Sequence, residues 1–271
     1  MGAAEAFRLD GQVGVVTGAF GKLGPLWSRC LLEAGARVVA LDLHVPKVHE
    51  RIDELRERFT GRVLVRRCDI RDKGDLRAAL DACLETFGPP EILVNNAGID
   101  QPPANLPQTY DVQEMPLDTF RAIVDVNLVS TFLVCQIFGG EMASRRRGSI
   151  INIGSLYATV SPDPRVYDHI PVEPPFLKPP GYGASKAGLI NLTRYLAVHW
   201  ARRGVRVNAL SPGGVQGNQD PEFQRKFCER VPMARMAQES DLTGPLLFLA
   251  SSASAYMTGV NLHVDGGFTL W

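Results

Sequence analysis

Tyr182 and Lys186, in the run Tyr-Gly-Ala-Ser-Lys, open a strongly helical stretch. Residues four apart share one face of a helix, so this spacing sets a phenol beside an ammonium. A free phenol has a pKa of about 10 and is a poor base at neutral pH. An adjacent cation favours the phenolate, and a drop of ~3 units would correspond to about 4 kcal/mol of preferential stabilisation. With that help the phenol could act as a base. Taken alone, Tyr-x-x-x-Lys also describes an ordinary exposed helical pair. Ser155 alone reads as a serine at a strand end, and Asn127 as a helix cap.

A second kind of chemistry is written near the start of the chain, where Val13-Gly-Val-Val-Thr-Gly18-Ala-Phe-Gly21-Lys22-Leu23-Gly24 sets three glycines between a β-branched run and a helical one. Glycine permits a tight turn and close approach of backbone to a pyrophosphate, and a helix N-terminus offers free N–H groups and partial positive charge. The next β-branched run ends at Asp42, 18 residues beyond Gly24. A carboxylate there accepts from adenosine ribose hydroxyls and repels a 2′-phosphate, which favours NAD over NADP; the competing reading is a cap for the following helix. Lys22 pulls the other way, since its cation could approach a 2′-phosphate or lie along the pyrophosphate.

These residues need a scaffold, and the chain supplies short β-branched runs alternating with helical patterns, the signature of βαβ units and a parallel sheet covered on both faces. Strands are expected at Val13–Thr17, Val38–Asp42, Val63–Asp69, Ile92–Asn95, Ser149–Ile153, Arg206–Leu210 and Asn261–Val264. Helices are expected over Leu23–Ala34, Lys47–Phe59, Lys73–Phe87, two in succession over Leu117–Ala143, then Ala184–Arg203 and Leu242–Ser251. One segment breaks the rhythm: Ser161 to Pro180 holds seven of the 19 prolines, too many for a helix interior or central strand. Because the alternation resumes beyond it, the whole of 1–271 reads as one domain with a stiffened, proline-rich insertion at about 156–181.

Composition narrows the partners. Hydrophobic residues make up 45% of 271, and 29 Lys+Arg balance 29 Asp+Glu, as in a globular protein with no field to attract nucleic acid. The N-terminal residues carry Glu5 and Asp10 and no signal-like pattern, and the apolar region Ile123 to Phe138, broken by Asp125 and Asn127, is read as too short for a membrane span. Five scattered cysteines without a C-x-x-C pair suggest neither disulfides nor zinc, and a cytoplasmic location is expected.

Read together, the motifs resemble the short-chain dehydrogenase/reductase family from about Leu9 to Phe268, in its shorter single-domain oxidoreductase branch. The resemblance rests on Thr17-Gly18 with Gly21 and Gly24, Cys68-Asp69-Ile70, Asn95-Asn96-Ala97-Gly98, Val126-Asn127-Leu128, Ile153-Gly154-Ser155, Tyr182-x-x-x-Lys186, Ser211-Pro212-Gly213-Gly214-Val215 and Val264-Asp265-Gly266-Gly267. It implies a Rossmann-type, doubly wound α/β domain of about seven parallel strands. It also implies that Tyr182 exchanges the substrate proton, that Ser155 orients the reacting oxygen, and that Lys186 holds the nicotinamide ribose and lowers the tyrosine pKa, with Asn127 supporting a proton-relay water. Asp69 and Ile70 would flank the adenine and Asn96, Ala97 and Gly98 would line the cofactor floor. Gly18, Gly21, Lys22, Leu23 and Gly24 would carry the pyrophosphate, and Pro212, Gly213 and Val215 would meet the carboxamide end. A homotetramer or homodimer is implied, and the apolar end Phe268-Thr-Leu-Trp271 is a candidate contact.

Two departures stand out. Lys22 occupies a position where many members carry glycine, and the step from Ser155 to Tyr182 is 27 residues, about twice the family's usual spacing. A loop anchored at both ends in the active site must pass the substrate pocket, so the insertion is expected to shape or cover it. Its polar residues Tyr157, Arg165, Tyr167, His169, Glu173 and Lys178 each read, one at a time, as solvated loop side chains. The expected activity is NAD-preferring hydride transfer to or from a secondary alcohol or ketone, of the sugar, polyol or hydroxy-acid type, given Gln101, Glu173, Gln216 and Asn218 as polar pocket candidates. The alternatives are an NADPH-dependent 3-oxoacyl thioester reductase and a dinucleotide-binding protein without turnover.

Overall fold

The computed structural model describes residues 2–101 and 109–271. Its strands are β1 (Val13–Thr17), β2 (Arg37–Asp42), β3 (Val63–Arg67), β4 (Ile92–Asn95), β5 (Gly148–Ile153), β6 (Val205–Pro212) and β7 (Asn261–Val264). All pair in parallel, in the order β3-β2-β1-β4-β5-β6-β7. The chain therefore winds outward from β1 to β3, returns to lay β4 on the other side of β1, and winds outward again. Crossovers depart in opposite directions between β1 and β4, which opens a crevice at the C-terminal edge of the sheet. Parallel pairing gathers Thr17, Asp42, Asn95, Ile153 and Pro212 along that same edge, although they span much of the sequence.

The connecting helices are α1 (Gly24–Glu33), α2 (Glu50–Arg58), α3 (Lys73–Thr86), α4 (Leu117–Ser144), α5 (Pro180–Trp200), α6 (Pro221–Glu229) and α7 (Glu239–Ala250). Neighbouring strand residues serve opposite faces. Val16, Val38 and Ile151 pack with Leu26, Trp27, Leu31, Leu242 and Leu246 of α1 and α7. On the other face, Val15, Val39 and Ile150 pack with Leu76, Phe138, Met142 and Leu196 of α3, α4 and α5.

The two helices expected over Leu117–Ala143 are one helix of 28 residues, with π-helical turns at Asp125–Val129 and Cys135–Gly139. Gly139 does not break it, because a Cβ there would lie 2.7 Å from the Trp200 ring: the glycine is a contact point with α5. At 1.5 Å per residue, α4 is about 42 Å long. Contrary to the sequence expectation, it is long and apolar enough to cross a membrane by length and composition. Here its buried side chains, Ile123, Asn127, Val134, Phe138 and Met142 among them, face the rest of the domain.

The insertion is more than a solvated loop. Val166 and Tyr167 join Leu156, Phe227, Val231, Met236 and Phe268 in a third apolar cluster, with Phe176 and Phe223 packed against it. Tyr167 is 8% exposed, so burial corrects its reading as a loop side chain. Polar contacts bind the same segment to α6 and its two flanks: Asp168 pairs with Lys226 and Asp163 with Arg230, and His169 Nε2 lies 2.9 Å from Asp220 Oδ1. Helix α6 itself escaped the reading of the apolar pattern. Its signals are the Asp220 side chain, which caps the N–H groups of Glu222 and Phe223, and Pro221 in the first turn.

Candidate active site

The glycine turn works by close approach. Gly18 has φ +62°, and a Cβ there would lie 2.8 Å from Ala97 Cα; a Cβ on Gly24 would lie 2.3 Å from the Gly18 carbonyl oxygen. Asn96 locks this arrangement. Its Nδ2 donates to Thr17 O (3.2 Å) and Gly18 O (2.9 Å), while its Oδ1 accepts from Trp27 Nε1 (2.7 Å). Thr17 Oγ1 accepts from the N–H groups of Asn96 and Ala97, each at 3.1 Å. The side chain expected on the cofactor floor thus chiefly clamps β1, β4 and α1 together. Trp27 was not among the sequence candidates, because an apolar residue on an amphipathic helix carries no sign of a polar duty.

Asp42 stands at the end of β2 with Oδ2 accepting from Phe20 N (2.9 Å) and Oδ1 from His44 N (3.2 Å). Two backbone donors fix the carboxylate at the cleft wall, so it does not cap α2; His49 does that, accepting from Ile52 N. Lys22 Nζ donates to Val215 O at 2.7 Å, tying the glycine loop to the loop after β6. Burial holds the Lys22 ammonium below its ordinary value, with the Glu239 charge offsetting part of that. Asp69 lines the cleft with its carboxylate engaged by Arg71 Nη2 (2.6 Å), which holds its pKa low, and Ile70 is buried beside it. Val215 pairs as a bridge with Ala237, whose N–H and C=O bond Gly214 O and Gln216 N. By strand geometry Val215's own N–H and C=O then face the opposite side, toward the cleft.

At the other end, Tyr182 lies in the first turn of α5, which Pro180 begins at a position needing no N–H. Its neighbours are Lys186, whose Nζ is 5.9 Å from the phenol ring centroid, the Tyr157 ring edge-on at 6.4 Å, and the Ser155 hydroxyl, which favours the phenolate. Ser155 Oγ also accepts from Tyr157 N at 3.2 Å. Lys186 is 6% exposed and donates to Ile153 O at 2.7 Å; burial pushes its ammonium down to about 8. The phenol departs from the lowered pKa the motif implies. Burial raises it above the ordinary value, and the hydrogen bond with Ser155 only partly opposes this. The neutral phenol, able to donate to a carbonyl oxygen, therefore dominates at neutral pH, and the phenolate that could accept from an alcohol grows as pH rises.

Asn127 sits in the first π-helical turn of α4 and is 1% exposed. Its Oδ1 accepts from Ile99 N and its Nδ2 donates to Ile99 O, both at 2.8 Å, and Nδ2 reaches Ser185 Oγ at 3.1 Å. Ser185 in turn donates to Tyr182 O at 2.8 Å. A Cβ on Gly98 would meet Asn127 Oδ1 at 3.1 Å, so that glycine permits the clamp. A chain of contacts thereby ties the loop after β4, through α4, to the turn bearing Tyr182. Ser185 lies inside the Tyr-x-x-x-Lys motif, yet only the fold reveals this partner.

One cleft of about 1490 Å³ joins both ends. Its walls include Gly18, Gly21, Lys22, Leu23, Asp42, Asp69, Ile70, Asn96, Ala97, Gly98, Ser155, Tyr182, Lys186, Pro212, Gly213 and Val215. Gly24 stands behind the wall, in contact with the turn. This volume exceeds that of a drug-sized pocket, roughly 300–1,000 Å³, and its elongated floor of close-packed glycines, with a carboxylate at one end and the phenol at the other, fits an extended dinucleotide with a small substrate. Among the described residues no cluster of His, Cys, Asp or Glu could hold a metal ion.

The sequence profile of the short chain dehydrogenase family matches residues 12–167, and that of an enoyl-(acyl carrier protein) reductase family matches 172–269. Among similar proteins, galactitol 2-dehydrogenase (L-tagatose-forming) of Cereibacter sphaeroides is 35% identical, with 98% of each chain covered. D-threitol dehydrogenase of Mycolicibacterium smegmatis is 34% identical over 97% of this chain and 95% of its own. The crystal structure of a gluconate 5-dehydrogenase from Burkholderia cenocepacia, in complex with NADP and tartrate, superposes with TM-score 0.84 at 31% identity over the full length of both. The chain belongs to the short-chain dehydrogenase/reductase family. It is an NAD(P)-dependent oxidoreductase acting on secondary alcohols or their ketones.

Proposed function

We propose that the protein is an NAD-preferring dehydrogenase of polyols or related sugar alcohols, interconverting a secondary alcohol and its ketone. The observation that carries this reading is the placement of Tyr182, Ser155 and Lys186 at one end of a cleft whose other end is the backbone-held carboxylate of Asp42. The bound nicotinamide supplies the hydride acceptor or donor. Asp42 receives the adenosine ribose, Asp69 and Ile70 flank the adenine, the glycine turn and the cleft-facing backbone of Val215 hold the rest, and Lys186 meets the nicotinamide ribose. Ser155 Oγ orients the reacting oxygen, and the Tyr182 oxygen gives or takes its proton. Asn127 holds the Ile99 loop against the turn that carries Tyr182. The dehydrogenases of galactitol and D-threitol among its relatives support a polyhydroxy substrate, and Lys22, drawn away to Val215, supports NAD.

The insertion covers the substrate end, and replacing 161–179 by a short turn changes substrate selectivity. Exposed Val129, Phe132, Tyr195 and Val198 on α4 and α5, with Leu270 and Trp271 at the C-terminus, supply apolar surface for a homotetramer or homodimer, which light scattering reads directly. The five unpaired thiols suit the cytoplasm. The test is the initial rate of NADH or NADPH appearance with sugar alcohols, hydroxy acids and plain secondary alcohols. Turnover is expected with NAD and polyols, and Tyr182→Phe is expected to lose a factor of about 10²–10⁴ while still binding dinucleotide. Unchanged turnover in Tyr182→Phe, or activity restricted to acyl thioesters with NADPH, overturns the reading.

A further inference from the structure

We propose that Lys178 and Asp100 form a substrate-recognition pair for an uncharged polyol, with Lys178 donating to, and Asp100 accepting from, hydroxyls on carbons next to the reacting carbon. The proposal rests on the polyol dehydrogenase reading above. Lys178 Nζ lies 2.9 Å from Asp100 Oδ2 and 5.2 Å from the centroid of the Tyr182 ring, and both residues line the cleft. Tyr182 is thus flanked by two ammonium groups of different origin. Lys186 is committed to the Ile153 carbonyl, whereas Lys178 comes from the proline-rich insertion.

The two partners are held from opposite sides. Asp100 follows Ile99, whose N–H and C=O are both bonded by Asn127. Lys178 stands two residues before α5 begins, with its side chain 16% exposed. Both groups face Tyr182, and the Asp100 charge is among the influences that raise the phenol's pKa.

The chemistry selects the ligand. A hydroxyl is donor and acceptor at once, so a polyol can bridge an ammonium and a carboxylate, and two neighbouring hydroxyls can engage both. Hydrogen bonds to charged groups are the stronger kind. The pair has no net charge, and a substrate carboxylate drawn to Lys178 would also meet Asp100. The pair therefore favours a neutral polyol over a sugar acid. A plain secondary alcohol offers nothing to bridge it.

Lys178→Gln and Asp100→Asn are assayed with NAD against galactitol and D-threitol, gluconate, and 2-butanol, with thermal unfolding and NAD binding as controls for folding. Each variant is expected to raise KM for the polyols about tenfold or more with kcat changed less than threefold, and to leave kcat/KM for 2-butanol within twofold. Asp100→Asn, with Lys178 retained, is expected to improve gluconate relative to the polyols. Equal losses on polyols and 2-butanol overturn the proposal and assign Lys178 to Tyr182's electrostatics. Unchanged polyol KM in folded variants overturns it while sparing the dehydrogenase reading; a wild-type enzyme that turns over no polyol removes both.

Discussion

Lys186 carries an opposing cost that can be measured without any substrate. Its ammonium is 6% exposed, and burial lowers its pKa from the ordinary 10.5 to about 8. A base that binds its proton more weakly when folded destabilises the folded state wherever it is charged. That cost is essentially full below pH 8 and fades as pH climbs from 8 to 10.5. A separation of about 2.5 units corresponds to about 3 kcal/mol. Lys186→Met removes the cost but strands the Ile153 carbonyl, itself worth about 1–3 kcal/mol, so the two stabilities near pH 7 lie close together. Their pH dependence does not cancel. Between pH 7 and about pH 9.5 the wild type should gain about 2 kcal/mol over the variant, or roughly 3–4 °C in Tm for a chain of this size. Urea or thermal unfolding of both proteins, free of dinucleotide, at the two pH values reads the difference. Parallel curves would refute the argument, since they would mean that Lys186 is no harder to charge in the folded chain than in water.

Two further changes test the cofactor end. Trp27→Phe removes the donor to Asn96 Oδ1 in a fully buried place and is expected to cost about 1–3 kcal/mol and to weaken dinucleotide binding, because Asn96 no longer holds the Gly18 carbonyl firmly. Chemical denaturation and a dinucleotide titration check it, and a loss under about 0.5 kcal/mol counts against the clamp. Asp42→Asn keeps one oxygen to accept from Phe20 N but turns its NH2 toward the His44 N–H, so discrimination against NADP should fall about tenfold or more, near 1.4 kcal/mol, with about 0.5–1.5 kcal/mol of stability lost with the His44 bond. Initial rates with both cofactors decide it, and an unchanged ratio would remove Asp42 as the selector.

Much of the site could be read from residue order because its parts follow local rules. The glycine turn needs Gly18 and Gly24 for reasons confined to one strand, one turn and one helix, and the strand ends that carry Asp42, Asn95 and Ser155 are set by β-branched runs with their flanking residues. Where the reading slipped, the cause was usually a contact made across the chain. Two helices became one because Gly139 is filled by Trp200 from α5 instead of acting as a break. Local spacing predicted a lowered Tyr182 pKa, but desolvation by surrounding elements raises it. Helix α6 is the exception, since its Asp220-Pro221 start was legible in the sequence.

The chain alone determined the α/β alternation, the glycine turn and the Tyr-x-x-x-Lys spacing, because these depend on periodicity and on side-chain types at short spacing, and its motifs together implied the doubly wound order. Tertiary structure decided which groups spend their hydrogen bonds on one another. Lys22 goes to Val215, Asn127 to Ile99 and Ser185, Asn96 to Trp27, and Lys178 to Asp100 across the mouth of the site. Each of these pairings lies 28 to 193 residues apart in sequence, and burial and hydrogen-bond geometry act on distance in space, which residue order specifies only once the whole chain has packed.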